Sequence, residues 1–298
     1  MWKVTKIDRV ALATPDLERQ SDYYERILGL ARVDGSSKAR LFSCGAAEPA
    51  VALQAGPTPQ CTSIAFRVNA EAELKAIAST LKEKGLSVAL ASDPGPGERE
   101  RLTIAGPEGI SIALAHEPSP GPAKTAPAQT TGLSPLKLGH VAFNVHDVKG
   151  AADFFVEALG FRVSDWMGDF FVFLRCGPDH HTVNFVHGER AKMHHVAFEG
   201  RDWQHIKEVC DFLGSQGIPL IWGPGRHGVG HNIFIYHHNP DGQIIELYIE
   251  LDQMSDEALG AFDPRPWHED NPQRPKVWKP GPKTSNIWGI PTPQAFRD

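Results

Sequence analysis

The chain has 298 residues, 41% hydrophobic and 22% charged, the composition of a globular protein with material for about two domains. Its formal net charge of −6 offers no basic stripe for phosphates, so nucleic acid is excluded as the expected partner. No apolar run approaches the ~20 residues of a membrane span and MWKVTKIDRV lacks a signal-peptide core, so no membrane partner and a cytoplasmic location are expected.

IDRVALATPDLERQSDYYERILGL, from Ile7, reads as a strand and a helix stopped near Gly29. It aligns with LGHVAFNVHDVKGAADFFVEALGF, from Leu138, at an offset of 131, sharing Asp16 with Asp147 and Gly29 with Gly160. CTSIAFRV at Cys61 matches MHHVAFEG at Met193, and AGPEGISIALAHE at Ala105 matches HNPDGQIIELYIE at His238, at offsets of 132 and 133. Three matches at nearly one spacing indicate a duplicated module. The Pro- and Ala-rich EPSPGPAKTAPAQTTGLSP then reads as the linker. The expected division is 1–117, a linker at 118–135, a second module at 136–250 and an extension at 251–298. The cysteines Cys44, Cys61, Cys176 and Cys210 have no paired short spacing and are expected as reduced thiols.

In the second module LGHVAFNV alternates as a strand does, Asp147 is a helix N-cap, Phe154, Phe155, Ala158 and Leu159 form an apolar stripe, and Gly160 is the stop. FRVSDWM, FFVFLRC and HTVNFVHG follow as strands. MHHVAFEG begins another unit, with a helix over WQHIKEVCDFLGSQG and strands ending at Ile244 to Ile249. The fold class is α+β: two tandem modules, each of paired βαβββ units, forming curled mixed sheets around a cavity.

Of the 14 histidines only His116 precedes residue 140. His140, His195 and Glu246 fall on the first strand, the fifth and the last strand of the second module, and Arg9, Ser63 and Ala113 stand at the matching places of the first. Joint loss of all three in the sister copy points to a metal set rather than to packing. Two imidazoles and a carboxylate suit a facial triad with open positions, which favours Fe(II), with Mn(II) as the close alternative and zinc a further one.

The segment GRHGVGHNIFIYHHNPDGQIIE, from Gly225 through His227, Tyr236 and Pro240 to Glu246, resembles the signature of the type I extradiol ring-cleavage dioxygenases of the vicinal oxygen chelate superfamily. LGHVAF, CGPDHHTV and MHHVAF stand where that family carries similar motifs, and the resemblance runs from about Ile7 to Glu250. It implies the vicinal oxygen chelate, or glyoxalase-like, fold, and cleavage of a small aromatic diol by O2 at Fe(II) to a hydroxymuconic-semialdehyde-type product. It further implies His181 as acid-base residue, His227 as hydrogen-bonding partner of substrate and oxygen, and Tyr236 as donor to the ring oxygen. His231, His237 and His238 are expected at strand ends or on the outer face. His180 and His194 are expected to point away from the metal, as strand neighbours of His181 and His195.

Ala142, Phe173, Trp222 and Arg226 are the expected substrate-binding residues. Relatives that cleave homoprotocatechuate have an arginine where this chain has Trp222, so an apolar or weakly polar catechol is expected, with Arg226 or Arg274 the remaining sources of charge. Trp267, Trp278 and Trp288 among the prolines of the tail indicate an ordered lid or an oligomer contact. The first module is expected to act as scaffold in a homo-oligomer. The rival readings are a metal-dependent glyoxalase-type isomerase or epimerase, a hydroquinone-cleaving dioxygenase, and a small-aromatic-binding protein.

Overall fold

HVAF occurs twice in the second half of the chain, at 140–143 and 195–198, and the two copies lie side by side as central antiparallel strands of a nine-stranded sheet. The computed structural model describes residues 2–45, 50–95, 98–116, 132–263 and 273–296. The first module contains β1 (Val4–Thr14), α1 (Leu17–Asp22), β2 (Ala31–Gly35), β3 (Ala39–Ser43), β4 (Val51–Ala55), β5 (Gln60–Val68), α2 (Leu74–Glu83), β6 (Val88–Gly95), β7 (Glu98–Ala105) and β8 (Ser111–His116). The second repeats that order with β9 (Lys137–Val145), α3 (Val148–Leu159), β10 (Arg162–Met167), β11 (Phe171–Arg175), β12 (Val183–His187), β13 (Lys192–Glu199), α4 (Trp203–Ser215), β14 (Leu220–Arg226), β15 (Ile233–His238) and β16 (Ile244–Ile249). Each module is thus two βαβββ units joined through their first strands, β1 to β5 and β9 to β13.

Local chemistry sets the helix ends. Asp147 accepts the Gly150 N–H at 2.8 Å and Gly160, at φ +73°, closes α3. Asp202 caps α4 in the same way through His205 N–H. The first helix departs from a simple α-helix up to Gly29: after α1 it widens into a π turn over Tyr23–Ile27, with both Tyr23 and Tyr24 buried.

Strand alternation separates core from cavity. On β9, Val141, Phe143 and Val145 join the hydrophobic core, while His140, Ala142 and Asn144 line the concave face. The ladders of the two modules superpose in register. Ala197 pairs with His140 and Glu246, as Ala65 pairs with Arg9 and Ala113 in the first module. A finer symmetry runs inside the second module: His140 corresponds to His195, and Asn184, paired with Ala142, corresponds to Glu246, paired with Ala197.

The extension continues the fold. A small hairpin, β17 (Met254–Asp256) and β18 (Ala261–Phe262), follows the second module, and β19 (Lys276–Trp278) adds parallel to β10 at the sheet edge. A short helix α5 (Pro282–Ser285) and a 3-10 turn (Gln294–Phe296) complete it. Trp267 and residues 117–131, most of the expected linker, lie outside the described residues. No helix among the described residues is long and apolar enough to cross a membrane.

Candidate active site

Three neighbouring strands at the centre of the second sheet bring His140, His195 and Glu246 together, all buried. His140 Nε2 lies 3.2 Å from His195 Nε2 and 3.1 Å from Glu246 Oε2, and His195 Nε2 lies 3.1 Å from the same oxygen. The second carboxylate oxygen accepts from Asn232 Nδ2 at 3.0 Å, which aims Oε2 into the triangle. Burial alone would raise the Glu246 pKa, but His140 and His195 hold it well below the carboxylate range. Such a triangle fits a divalent cation: donors about 2.1–2.2 Å from one ion stand about 3.0–3.1 Å apart on an octahedral face, against about 3.5 Å on a tetrahedron.

A tautomer argument supports the same fit. The Phe296 carbonyl can only accept, so His194 Nε2, 3.0 Å away, carries a hydrogen. Burial pushes His194 down to about 3, which keeps it neutral with a bare Nδ1. His195 Nδ1, 2.7 Å away, must then donate, and His195 Nε2 is left bare for a cation.

Polar groups gather beside the triangle. The His181 ring meets His140 edge-on at 4.2 Å, and burial, with His140 and His180, depresses its pKa well below the imidazole value. Tyr236 is paired with Glu246 across β15 and β16, and its phenol, buried and near that carboxylate, stays protonated. Its O–H is 3.0 Å from His227 Nε2, while His227 Nδ1 donates to the Ser285 carbonyl at 2.6 Å. In this neutral tautomer His227 accepts from Tyr236. Burial brings the His227 pKa down to about 4.

These residues open onto one cavity of about 360 Å³, whose wall includes Ala142, Phe173, Trp222 and Asn184. Met167, Phe171 and Val229 add an apolar patch to the wall, and Thr284, Thr292 and Phe296 of the extension also line it. Asn184 Oδ1 is buried without a hydrogen-bond partner.

Some of these expectations need correction. Arg226 is not in the cavity wall: its guanidinium turns to Glu250 Oε2 at 2.6 Å and the His231 carbonyl at 2.7 Å. Arg274 is exposed, away from the cavity. His180 does turn away from the triangle, toward Asp165, but not by strand alternation, and His194 lines the cavity. His180 and His181 lie in a turn before β12, and a bulge between Met193 and His195 interrupts the β13 ladder, so each pair is joined Nδ1 to Nδ1. Of the three histidines expected at strand ends or outside, His237 and His238 do close β15, His238 exposed and His237 buried against Tyr23, while His231 lies just before that strand and is buried against Asp252. Asn184 and Phe296 were not singled out by sequence; for Asn184, its place opposite Ala142 was the available signal.

Residues 6–114 and 137–247 match the family described as the Glyoxalase/Bleomycin resistance protein/Dioxygenase superfamily, and the chain belongs to it in both modules. Among its relatives, Metapyrocatechase 2 of Cupriavidus necator is 27% identical over 183 residues, 55% of this chain and 57% of that protein. The chain thus spans little more than half of that relative's length. The manganese-dependent 2,3-dihydroxybiphenyl 1,2-dioxygenase of Geobacillus genomosp. 3 is 22% identical over 306 residues, 94% of this chain and 96% of that one. Among solved structures, the Mn(II)-bound glyoxalase from Novosphingobium aromaticivorans superposes with a TM-score of 0.83 at 26% identity, covering 97% of this chain and 92% of that one.

Proposed function

We propose that the protein is an extradiol dioxygenase that cleaves an apolar catechol beside its two hydroxyls. The observation that carries this reading is one cavity holding the His140, His195 and Glu246 triangle together with His181 and Tyr236. His140, His195 and Glu246 would hold the metal, with Fe(II) preferred for its reactivity toward oxygen and Mn(II) the alternative. When bound, the ion lowers a catechol hydroxyl pKa and lets electron density pass from ring to O2.

The remaining steps belong to the side chains. His181 takes the proton of one hydroxyl and later returns it to the opening product. Tyr236 donates its O–H to the other ring oxygen, leaving His227, and so steadies charge that develops there. Phe173 and Trp222 bound the ring, and the buried walls exclude water. Both atoms of O2 enter the product, so catechol plus O2 balances to the hydroxymuconic semialdehyde with no outside reductant. The apolar patch of the wall and Trp222 favour an uncharged substituent. Residues 136–250 would be the catalytic module, 1–117 its scaffold and the extension a lid on the cavity.

The test is oxygen uptake by anaerobically Fe(II)-reconstituted protein with catechol and alkyl or aryl catechols. One O2 consumed per yellow product is expected; stoichiometric iron without uptake overturns the reading. The name of the solved glyoxalase favours a second reading, an isomerase of the same fold. That activity would persist under argon, where ring cleavage stops.

A further inference from the structure

Behind His181 runs a chain of buried groups that the steps above do not use. His180 Nδ1 lies 2.9 Å from His181 Nδ1, and His180 Nε2 lies 2.9 Å from Asp165 Oδ2 on β10, both side chains being fully buried. The other carboxylate oxygen accepts the backbone N–H of Lys276, on β19, at 2.7 Å. Phe173 and Phe262 hold the His180 ring, with centroids 5.6 and 5.2 Å away. Gly230 backs it, where a Cβ would come within 3.1 Å of Nδ1.

Hydrogen-bond chemistry orders the protons along this chain. An ionised carboxylate only accepts, so His180 Nε2 carries a hydrogen. A second hydrogen on Nδ1 would place a cation one ring away from a metal ion held by His140, a costly pairing of like charges in a dry interior. His180 Nδ1 is therefore bare and accepts from His181 Nδ1–H. His181 Nε2 is then free for a substrate proton. We infer that Asp165, acting through His180 and clamped by β19, is a positioning residue that selects this tautomer of His181. The inference rests on the extradiol reading for its use in catalysis.

Asp165→Asn tests it with little change of shape. The new carbonyl must face Lys276 N–H, since an NH2 group cannot accept, and the NH2 then faces His180 Nε2. Donation there moves the His180 hydrogen to Nδ1 and the His181 hydrogen to Nε2. Nitrogen NMR of the full chain with ring-labelled histidine, loaded with Zn(II) as a diamagnetic ion, reads both positions, with His181 signals assigned by their loss in His181→Phe. The expected result is a hydrogen on Nδ1 in the wild type and on Nε2 in Asp165→Asn. With Fe(II), kcat of the variant should fall roughly 100-fold or more while the catechol KM stays within about threefold. One unchanged tautomer in both proteins, or a wild-type hydrogen on Nε2, overturns the inference. The wild-type spectrum alone decides if Asp165→Asn does not fold. The expected tautomers in a protein that consumes no oxygen would support the positioning role and overturn the extradiol reading instead.

Discussion

His140 and His181 meet edge to face, yet only His140 places a nitrogen in the donor triangle. The two should fail differently. His181→Phe is expected to retain metal and catechol while kcat falls by roughly 100-fold or more, measured by metal analysis and oxygen uptake on one preparation. Glu246→Ala removes the only carboxylate of the triangle, and metal affinity should fall by about 10–100-fold or more in a competition titration. Trp222→Arg should shift the kcat/KM ratio at least tenfold toward catechols bearing a carboxylate, of the order that one buried charge pair provides. The triangle was legible because the sister copy lacks all three members at matching positions. The roles of His180 and His194 were not, since a turn and a bulge leave no periodic mark in a sequence.

Among the elements, the extension contributes most that sequence left open between lid and oligomer contact. Its last turn places Phe296 against His194, Trp222 and Tyr236, with ring centroids at 4.8, 5.1 and 4.6 Å. The Phe296 carbonyl also fixes the hydrogen of His194, and through it the bare nitrogen of His195. Ending the chain after Pro291 is therefore expected to raise the catechol KM and to weaken metal binding together. A truncated protein with wild-type metal affinity would separate the extension from the triangle. The β19 strand could not be foreseen from KVW, a run too short to carry a pattern.

At the scale of the whole molecule the modules share one hydrophobic core, and Tyr23 of the first reaches across to His237 of the second, O to Nε2 2.6 Å, with both groups buried. Tyr23→Phe would strand that imidazole nitrogen. A loss of about 1–3 kcal/mol of stability is expected in denaturant melts, without change in metal affinity. The duplication, the order of elements and the histidine-rich half were all readable from repeat spacing. The contact between modules was not, because no periodicity within either copy encodes its partner.

The correspondence of His140 with His195, and of Asn184 with Glu246, makes the site a fourfold set with one odd member. Two fused halves that began alike would have offered an even number of donors. Here a single amide breaks the parity, and a neutral side chain in place of a carboxylate would leave a cation held by the triangle less neutralised. Because Glu246 reaches the triangle from the mirrored ladder position, Asn184→Glu should reach it too. Restored parity is expected to tighten metal binding and extinguish oxygen consumption, so the variant would hold its ion more firmly and do less with it.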